Sequence, residues 1–251
     1  RCHGGGRGLA RLFHGFRFRR SRQAPVITAE GWNRYCIWEH SATVRDLYGR
    51  RCRLEAEEMT CHAQAAELLA SLVSAGDTLL DAGCGSGYFY HSLKKRGIPV
   101  EYFGIDAAPS LIEIGRSHLP GYGLPAECLK VLRLEDLDGV VDHAVCINVL
   151  SNIDNYHRPL ERLLRCARKT VILRESCKDG SEYHYVRDRY LDPGCDLNVY
   201  VNAYDRTELR AFITSYGYEV EFVEDRYSRG RPEMVIGHPH YWEFIVATRL
   251  A

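Results

Sequence analysis

The feature that most constrains the fold is the run Asp81-Ala82-Gly83-Cys84-Gly85-Ser86-Gly87, in which three glycines alternate where one hydrophobic period gives way to another. Ahead of it, Thr78 to Ala82 is a short apolar stretch suited to a buried strand, and behind it Ser86 to Arg96 reads as a helix closed by Gly97. Strand, tight glycine turn and helix form the unit of an open parallel sheet, and such a turn lets a ligand approach bare backbone.

The alternation continues down the chain. Val100 to Asp106 reads as a second strand, Pro109 to His118 as a helix with proline in its first turn, and Lys130 to Leu134 as a third strand. His143 to Val149 gives a fourth strand, Leu160, Leu163, Leu164 and Ala167 mark a helix with Pro159 near its start, and Thr170 to Arg174 gives a fifth strand. After Glu175 the pattern yields to a polar, tyrosine-rich insertion, 176–204, with a turn at Asp192-Pro193-Gly194. Asp205 and Glu208 then have capping-box spacing ahead of the stripe Leu209, Phe212, Ile213 and Tyr216, and Gly217 ends that helix. Glu219 to Val223 and Tyr241 to Thr248 close the chain as an antiparallel pair.

The expected fold is therefore α/β: a doubly wound, mostly parallel seven-stranded sheet with helices on both faces and an antiparallel final strand. Upstream, helical spacing of Met59, His62, Ala66, Leu69 and Val73 predicts one long helix from Arg53 to Val73. Trp32, Tyr35, Trp38 and Tyr48 add an aromatic density that suits a cap over the sheet edge or over a site. The organisation expected is a tail at 1–27 and one domain at 28–251, with 28–75 as the helical, aromatic cap and 176–204 as a flap. The tail is arginine-rich and glycine-rich, with no acid before Glu30, which admits a transit-peptide reading; a tail without a role in catalysis is the plainer one.

Charge and cysteine content bound the partners. Lysine plus arginine and aspartate plus glutamate number 33 each, so no global field draws the chain to nucleic acid or to an anionic membrane. The apolar runs are strand-length, short of the roughly 20 residues that span a bilayer. Ten cysteines without a Cys-x-x-Cys pair fit a reducing, cytoplasmic compartment better than a disulfide framework. A compact small-molecule partner is expected, and a homodimer is left open.

Two ligand classes are disfavoured at the glycine turn. A dinucleotide-binding turn wants Gly-x-Gly-x-x-Gly, whereas Tyr88 stands where the last small residue belongs. A phosphate-binding P-loop ends in Gly-Lys-Ser/Thr, and this loop has no lysine. Asp106 sits at the carboxyl end of the second strand, where an acid can accept hydrogen bonds from both hydroxyls of a ribose. The free diol of an adenosine is the partner this implies.

Taken together, Asp81 to Gly87, Asp106 and the acidic Leu134-Glu135-Asp136-Leu137 resemble the class I S-adenosylmethionine-dependent methyltransferase family over roughly Thr78 to Thr248. The resemblance implies a methyl donor, S-adenosylmethionine, leaving as S-adenosylhomocysteine. It implies that Asp81 orients the methionine amino group and that Gly83, Cys84, Gly85 and Gly87 lie along the methionine. It also implies that Asp106, with Ala107 beside it, holds the ribose, and that Leu134, Glu135 and Asp136 border the adenine. Arg133-Leu134 replaces the family's usual Asp-Ala at that last loop. Asn148 and Val149 then fall under the sulfonium and face the acceptor, making Asn148 a candidate for the catalytic floor.

Other candidates carry less. His157, just beyond the fourth strand, has the side chain for a general base, and the alternative is that it heads the helix near Pro159. Cys84 is assigned no chemistry, because methyl transfer needs no covalent enzyme intermediate. His238 and His240 flank Pro239 without a nearby acidic or cysteine cluster, so no metal site is expected. Tyr183, His184, Tyr185 and Arg187 of the insertion could close over an acceptor. Asn148-Val149-Leu150-Ser151 is not Asn-Pro-Pro-Tyr, which argues against adenine in DNA or a glutamine side chain as acceptor; oxygen, nitrogen and carbon atoms of a small molecule stay open. Rival readings are a catalytically silent donor-binding module, an aminopropyltransferase of the same fold and a nicotinamide oxidoreductase.

Overall fold

The computed structural model describes residues 33–250, so the expected tail at 1–27 and Trp32 lie outside the described residues. Seven strands run in the order β3-β2-β1-β4-β5-β12-β9: β1 is Thr78–Ala82, β2 Glu101–Asp106, β3 Leu129–Val131, β4 Val141–Ile147, β5 Ala167–Lys178, β9 Tyr218–Glu224 and β12 Trp242–Arg249. Pairs from β3 through β5 are parallel, while β12 is antiparallel to both β5 and β9. The helices are α1 (Ala42–Cys52), α2 (Thr60–Ala70), α3 (Phe89–Lys95), α4 (Pro109–His118), α5 (His157–Cys166) and α6 (Arg206–Thr214).

The core follows from the continuous apolar runs. Leu79, Ala144, Val145, Ile172, Leu173, Phe244 and Ile245 have no accessible surface, since central strands are covered on both faces. Each large side chain so buried contributes about 1.5–3 kcal/mol. Helix α5 shows how a face is chosen: Leu160, Leu163 and Leu164 are buried while Arg158 and Arg165 stay exposed. Asp205 caps α6 by accepting from the Glu208 N–H at 2.8 Å, as its spacing predicts.

Several element bounds differ from the sequence reading. The helix expected from Arg53 is broken, because α1 ends at Cys52, Leu54 takes a left-handed φ of 59°, and α2 starts only at Thr60. The third strand stops at Val131, and a 3-10 turn, Leu134–Asp136, follows with Leu134 buried. The fourth strand ends at Ile147, because Asn148 takes a φ of 60° and turns the chain out of the sheet. The fifth strand extends to Lys178 through Glu175 and Ser176, which are polar yet wholly buried, because β12 pairs along it as far as Trp242 opposite Ser176.

The insertion contains a hairpin of β6 (Tyr185–Arg187) and β7 (Asn198–Tyr200), followed by the two-residue β8 (Tyr204–Asp205) paired with the end of β5. A second hairpin, β10 (Glu233–Val235) with β11 (His238–His240), stands beside it. Ile37, Val199 and Val201 form a small core of their own, against which Trp38, Val186, Leu191, Leu197, Val235 and Ile236 pack. The start of the described chain, the insertion and the second hairpin thus join as one cover near the carboxyl ends of the parallel strands. The Asp192 carboxylate ties the insertion to α1, accepting from the Ala42 N–H at 2.6 Å and from Arg45 at 3.0 Å.

Candidate active site

Strand order reverses at β1, whose chain continues to β2 on one side while β4 lies on its other, and a crevice opens at such a switch beyond the strand ends. A cavity of about 530 Å³ occupies it. Asp81, Gly83, Cys84, Asp106, Ala107, Leu134, Glu135, Asn148 and Val149 all line this cavity, so most of the site residues read from the sequence meet in one place. Gly85, Gly87 and Asp136 are not on its wall. Asp136 is exposed, leaving Glu135, which pairs with Arg133 at 3.3 Å, as the acid of that loop on the cavity.

The glycine turn is shaped by close approach. A Cβ on Gly83 would overlap Val149 and one on Gly85 would fall within the Tyr48 ring, while φ values of 76° and 57° at the two positions favour glycine. Gly87 serves packing, since a Cβ there would press into Leu129 at 2.8 Å.

Two carboxyls face the cavity in different states of engagement. Asp106 Oδ2 accepts from the Gly85 N–H and Oδ1 from the Ala108 N–H, each at 2.8 Å. A carboxylate oxygen can accept twice, so each retains a lone pair. Burial lifts this carboxyl to about 6 against the pull of those backbone bonds. Asp81 is 4% exposed and accepts the Tyr102 hydroxyl at 2.6 Å on Oδ2; among the described residues Oδ1 has no hydrogen-bond partner. Burial lifts Asp81 to about 7, the Tyr102 bond opposing and the Asp106 charge reinforcing the rise. A buried acid with an open oxygen is suited to receive a cation.

The floor is built from β4 and β5. The Asn148 N–H donates to the Arg174 carbonyl at 2.9 Å, and Arg174 Nη1 donates to Asn148 Oδ1 at 2.5 Å. Arg174 is itself fixed by a 2.7 Å ion pair to Asp225 and by the Trp242 ring 4.4 Å from its guanidinium carbon. Next to it, Glu175 accepts from the N–H groups of Val149, Leu150 and Ser151 and from the Ser151 hydroxyl, at 2.7–3.2 Å. Those bonds hold the turn that carries Asn148 and Val149.

Comparisons with known proteins bear on the fold and on its central segment. Residues 80–173 match a family profile described as a methyltransferase domain. The ubiquinone biosynthesis O-methyltransferase of Xanthomonas axonopodis pv. citri is 33% identical over 88 residues, which is 34% of this chain and 36% of that enzyme. The chain thus matches only about a third of the length of this curated relative. Magnesium protoporphyrin IX methyltransferase from Synechocystis PCC 6803, solved with S-adenosylmethionine bound, aligns with a TM-score of 0.55 at 15% identity, over 91% of this chain and all of that one. A methyltransferase from Streptomyces caelestis aligns with a TM-score of 0.57 at 12% identity, over 86% and 99% of the two chains. The segment 80–173 thus matches a methyltransferase domain, and the described chain has the fold of S-adenosylmethionine-dependent methyltransferases.

In this methyltransferase fold His157 stands apart from the cavity. It is exposed at the first position of α5, its N–H and Nδ1 both turned to Asn155 Oδ1 at 2.8 and 2.7 Å, and its ring stacks on Tyr156. Cys84 lines the cavity as a thiol that burial pushes well above its ordinary value, an inert packing group. No group of three or more metal-ligating side chains occurs among the described residues. Tyr185 and Tyr200 of the insertion hairpin, ring centroids 4.5 Å apart, and Tyr35, Trp38 and Tyr48 of the N-terminal region supply the aromatic wall of the cavity. Tyr102, Arg174 and Glu175 are the site residues that sequence reading missed. The signal for the last two was a charged pair at the end of an uninterrupted apolar strand.

Proposed function

We propose that this chain transfers a methyl group from S-adenosylmethionine to a small-molecule acceptor. The observation that carries the reading is that Asp81 and Asp106, at the ends of β1 and β2, and Glu135, in the 3-10 turn after β3, share the wall of one cavity beside the Gly83 turn. Asp106 has one open lone pair on each oxygen for a ribose diol, and Asp81 has one open oxygen for the methionine ammonium. Gly83 and Cys84 border the methionine, Ala107 the ribose, Leu134 and Glu135 the adenine, and Val149 the sulfonium.

The donor supplies a methyl group on a positively charged sulfur; the new bond to the acceptor forms as the carbon–sulfur bond breaks, its electron pair staying with sulfur. The chain's own work is to hold the acceptor in line and keep water out, through Asn148 below and the aromatic cover above. A cavity of about 530 Å³ suits a small organic acceptor. All the free cysteines of the described residues except Cys195 are buried, which fits residence in a reducing cytoplasm, and no described helix is long and apolar enough to cross a membrane.

Calorimetric titration with S-adenosylmethionine, S-adenosylhomocysteine and NAD tests the reading. Micromolar binding of the two sulfur nucleosides without NAD is expected. Binding of NAD, or of none of the three, overturns it.

A further inference from the structure

We infer that the acceptor presents an anionic oxygen, a carboxylate or phenolate, to the floor of the cavity, where the side-chain amide N–H groups of Asn148 recognise it. The inference rests on the methyl-transfer reading above and adds to it the chemistry of the acceptor atom.

The argument starts from backbone. A φ of 60° at residue 148 favours glycine, asparagine or aspartate over other residues. These three present different chemistry to a ligand: glycine nothing, aspartate oxygens that only accept, and asparagine two N–H donors and a carbonyl.

Which end of the amide faces the ligand is settled by Arg174. A guanidinium has donors and no acceptor, so the atom 2.5 Å from Nη1 is the Asn148 oxygen, and Nδ2 is the end left over. Nδ2 makes no hydrogen bond among the described residues, and Asn148 lies on the cavity wall. Arg174 cannot swing away, since it is 4% exposed, paired with a fully buried Asp225, and stacked over Trp242. Asp225 is held in turn by the Ser228 N–H at 2.8 Å. The floor therefore carries fixed donors and a carbonyl already taken.

An ammonium or amine brought to this floor sets N–H against N–H. An anionic oxygen accepts one Nδ2 hydrogen and keeps further lone pairs for the methyl group. A carboxylate also arrives without a proton at neutral pH and needs no base, while a phenol binds as the anion only after its proton has gone to water. This matches the histidines nearby: His157 lies off the cavity, and His62, on its wall, is buried, stacked on Tyr88 and pushed by burial to about 3. Asp154, also on the cavity wall, is exposed, where water and salt screen its charge.

The test uses benzoate and benzylammonium as matched probes of opposite charge, titrated into the full chain saturated with S-adenosylhomocysteine. Asn148→Asp keeps the backbone conformation and the bond from Arg174 but exchanges the donors for an acceptor; Asn148→Gly keeps the conformation and removes both. Wild type is expected to bind benzoate roughly tenfold or more tighter than benzylammonium, the scale of a hydrogen bond to a charged group. Asn148→Asp is expected to reverse the preference and Asn148→Gly to abolish it, so the glycine variant carries the test if the aspartate one does not fold. A wild-type preference for benzylammonium, no benzoate binding at millimolar concentration, or a preference unchanged in the variants overturns the inference. S-adenosylhomocysteine affinity, measured first on the same samples, separates the two readings: its absence removes the donor assignment, and the probe preference is then judged on the unloaded protein.

Discussion

The Tyr102 hydroxyl donates to Asp81 Oδ2 at 2.6 Å across the β1–β2 pair, with both side chains 4% exposed. It stabilises the carboxylate in a place where burial alone favours the neutral acid. If Asp81 receives the cationic end of the donor, binding draws on its ionised form, so affinity should rise with pH up to about 7 and level off above. Tyr102→Phe removes the opposing bond and raises the Asp81 carboxyl further. Donor affinity at pH 7 should fall roughly tenfold and largely recover at pH 8.5. Calorimetry across pH checks this, and a loss independent of pH would assign Tyr102 a purely structural role.

The same carboxyl has a stability cost. Its folded value, about 7, is above its ordinary 3.8, so the folded state binds more protons than the unfolded one between those values. Its contribution to stability is therefore greatest below 3.8 and declines as pH rises to about 7. Asp81→Asn keeps an oxygen for the Tyr102 hydroxyl and removes the buried charge. The variant should melt higher than wild type by a margin that widens from about pH 4 to about pH 7 and is constant above, while losing donor affinity. Thermal melts at a series of pH values decide it.

Much of this site was legible because its acids sit where periodicity changes. Asp81 and Asp106 end apolar strand-length runs, and a strand end in a parallel sheet points at the crevice. Asn148 was legible by position, but its clamp was not, since Arg174 reaches it across neighbouring strands through tertiary pairing alone. Glu175 read as the edge of the insertion because hydrophobicity stops before it; burial continues because four hydrogen bonds from the β4 turn satisfy the acid. Helix α1 falls inside the expected helical cap, but its bounds went unread because ATVRDLYGRRC has almost no apolar stripe; Cys52, under Ser86, and Tyr48, over Gly85, help to anchor it.

Asp192 fastens the insertion to the N-terminal cover. Its carboxylate takes the Ala42 N–H at the start of α1 and the Arg45 guanidinium, and its own N–H donates to the His40 carbonyl at 2.6 Å. Arg45 and Asp192 are about a third exposed, so the pair itself is weak; the carboxylate at the helix start adds the larger share. Asp192→Ala should cost about 1 kcal/mol or less of global stability while raising amide exchange in 185–200 and 37–45 selectively. Hydrogen exchange read by mass spectrometry checks this, and unchanged protection in both segments would mean that the small core around Val199 and Val201 holds the cover without the pair.

His157 offers the sharpest separation between a base and a helix start. Its ring packs on Tyr156 with centroids 4.1 Å apart and against Phe212 at 5.2 Å, and Asn155 takes its Nδ1. Since it does not border the cavity, His157→Ala should leave donor affinity unchanged and turnover within about twofold, with a small loss of stability from the missing ring contacts, about 0.5–1.5 kcal/mol. A base is worth 10²–10⁴ in rate, roughly, so the two roles predict results that do not overlap. A loss of turnover beyond about a hundredfold with normal donor affinity would place the ring at the reacting atoms and require the α5 start to move toward Asn148 during the reaction.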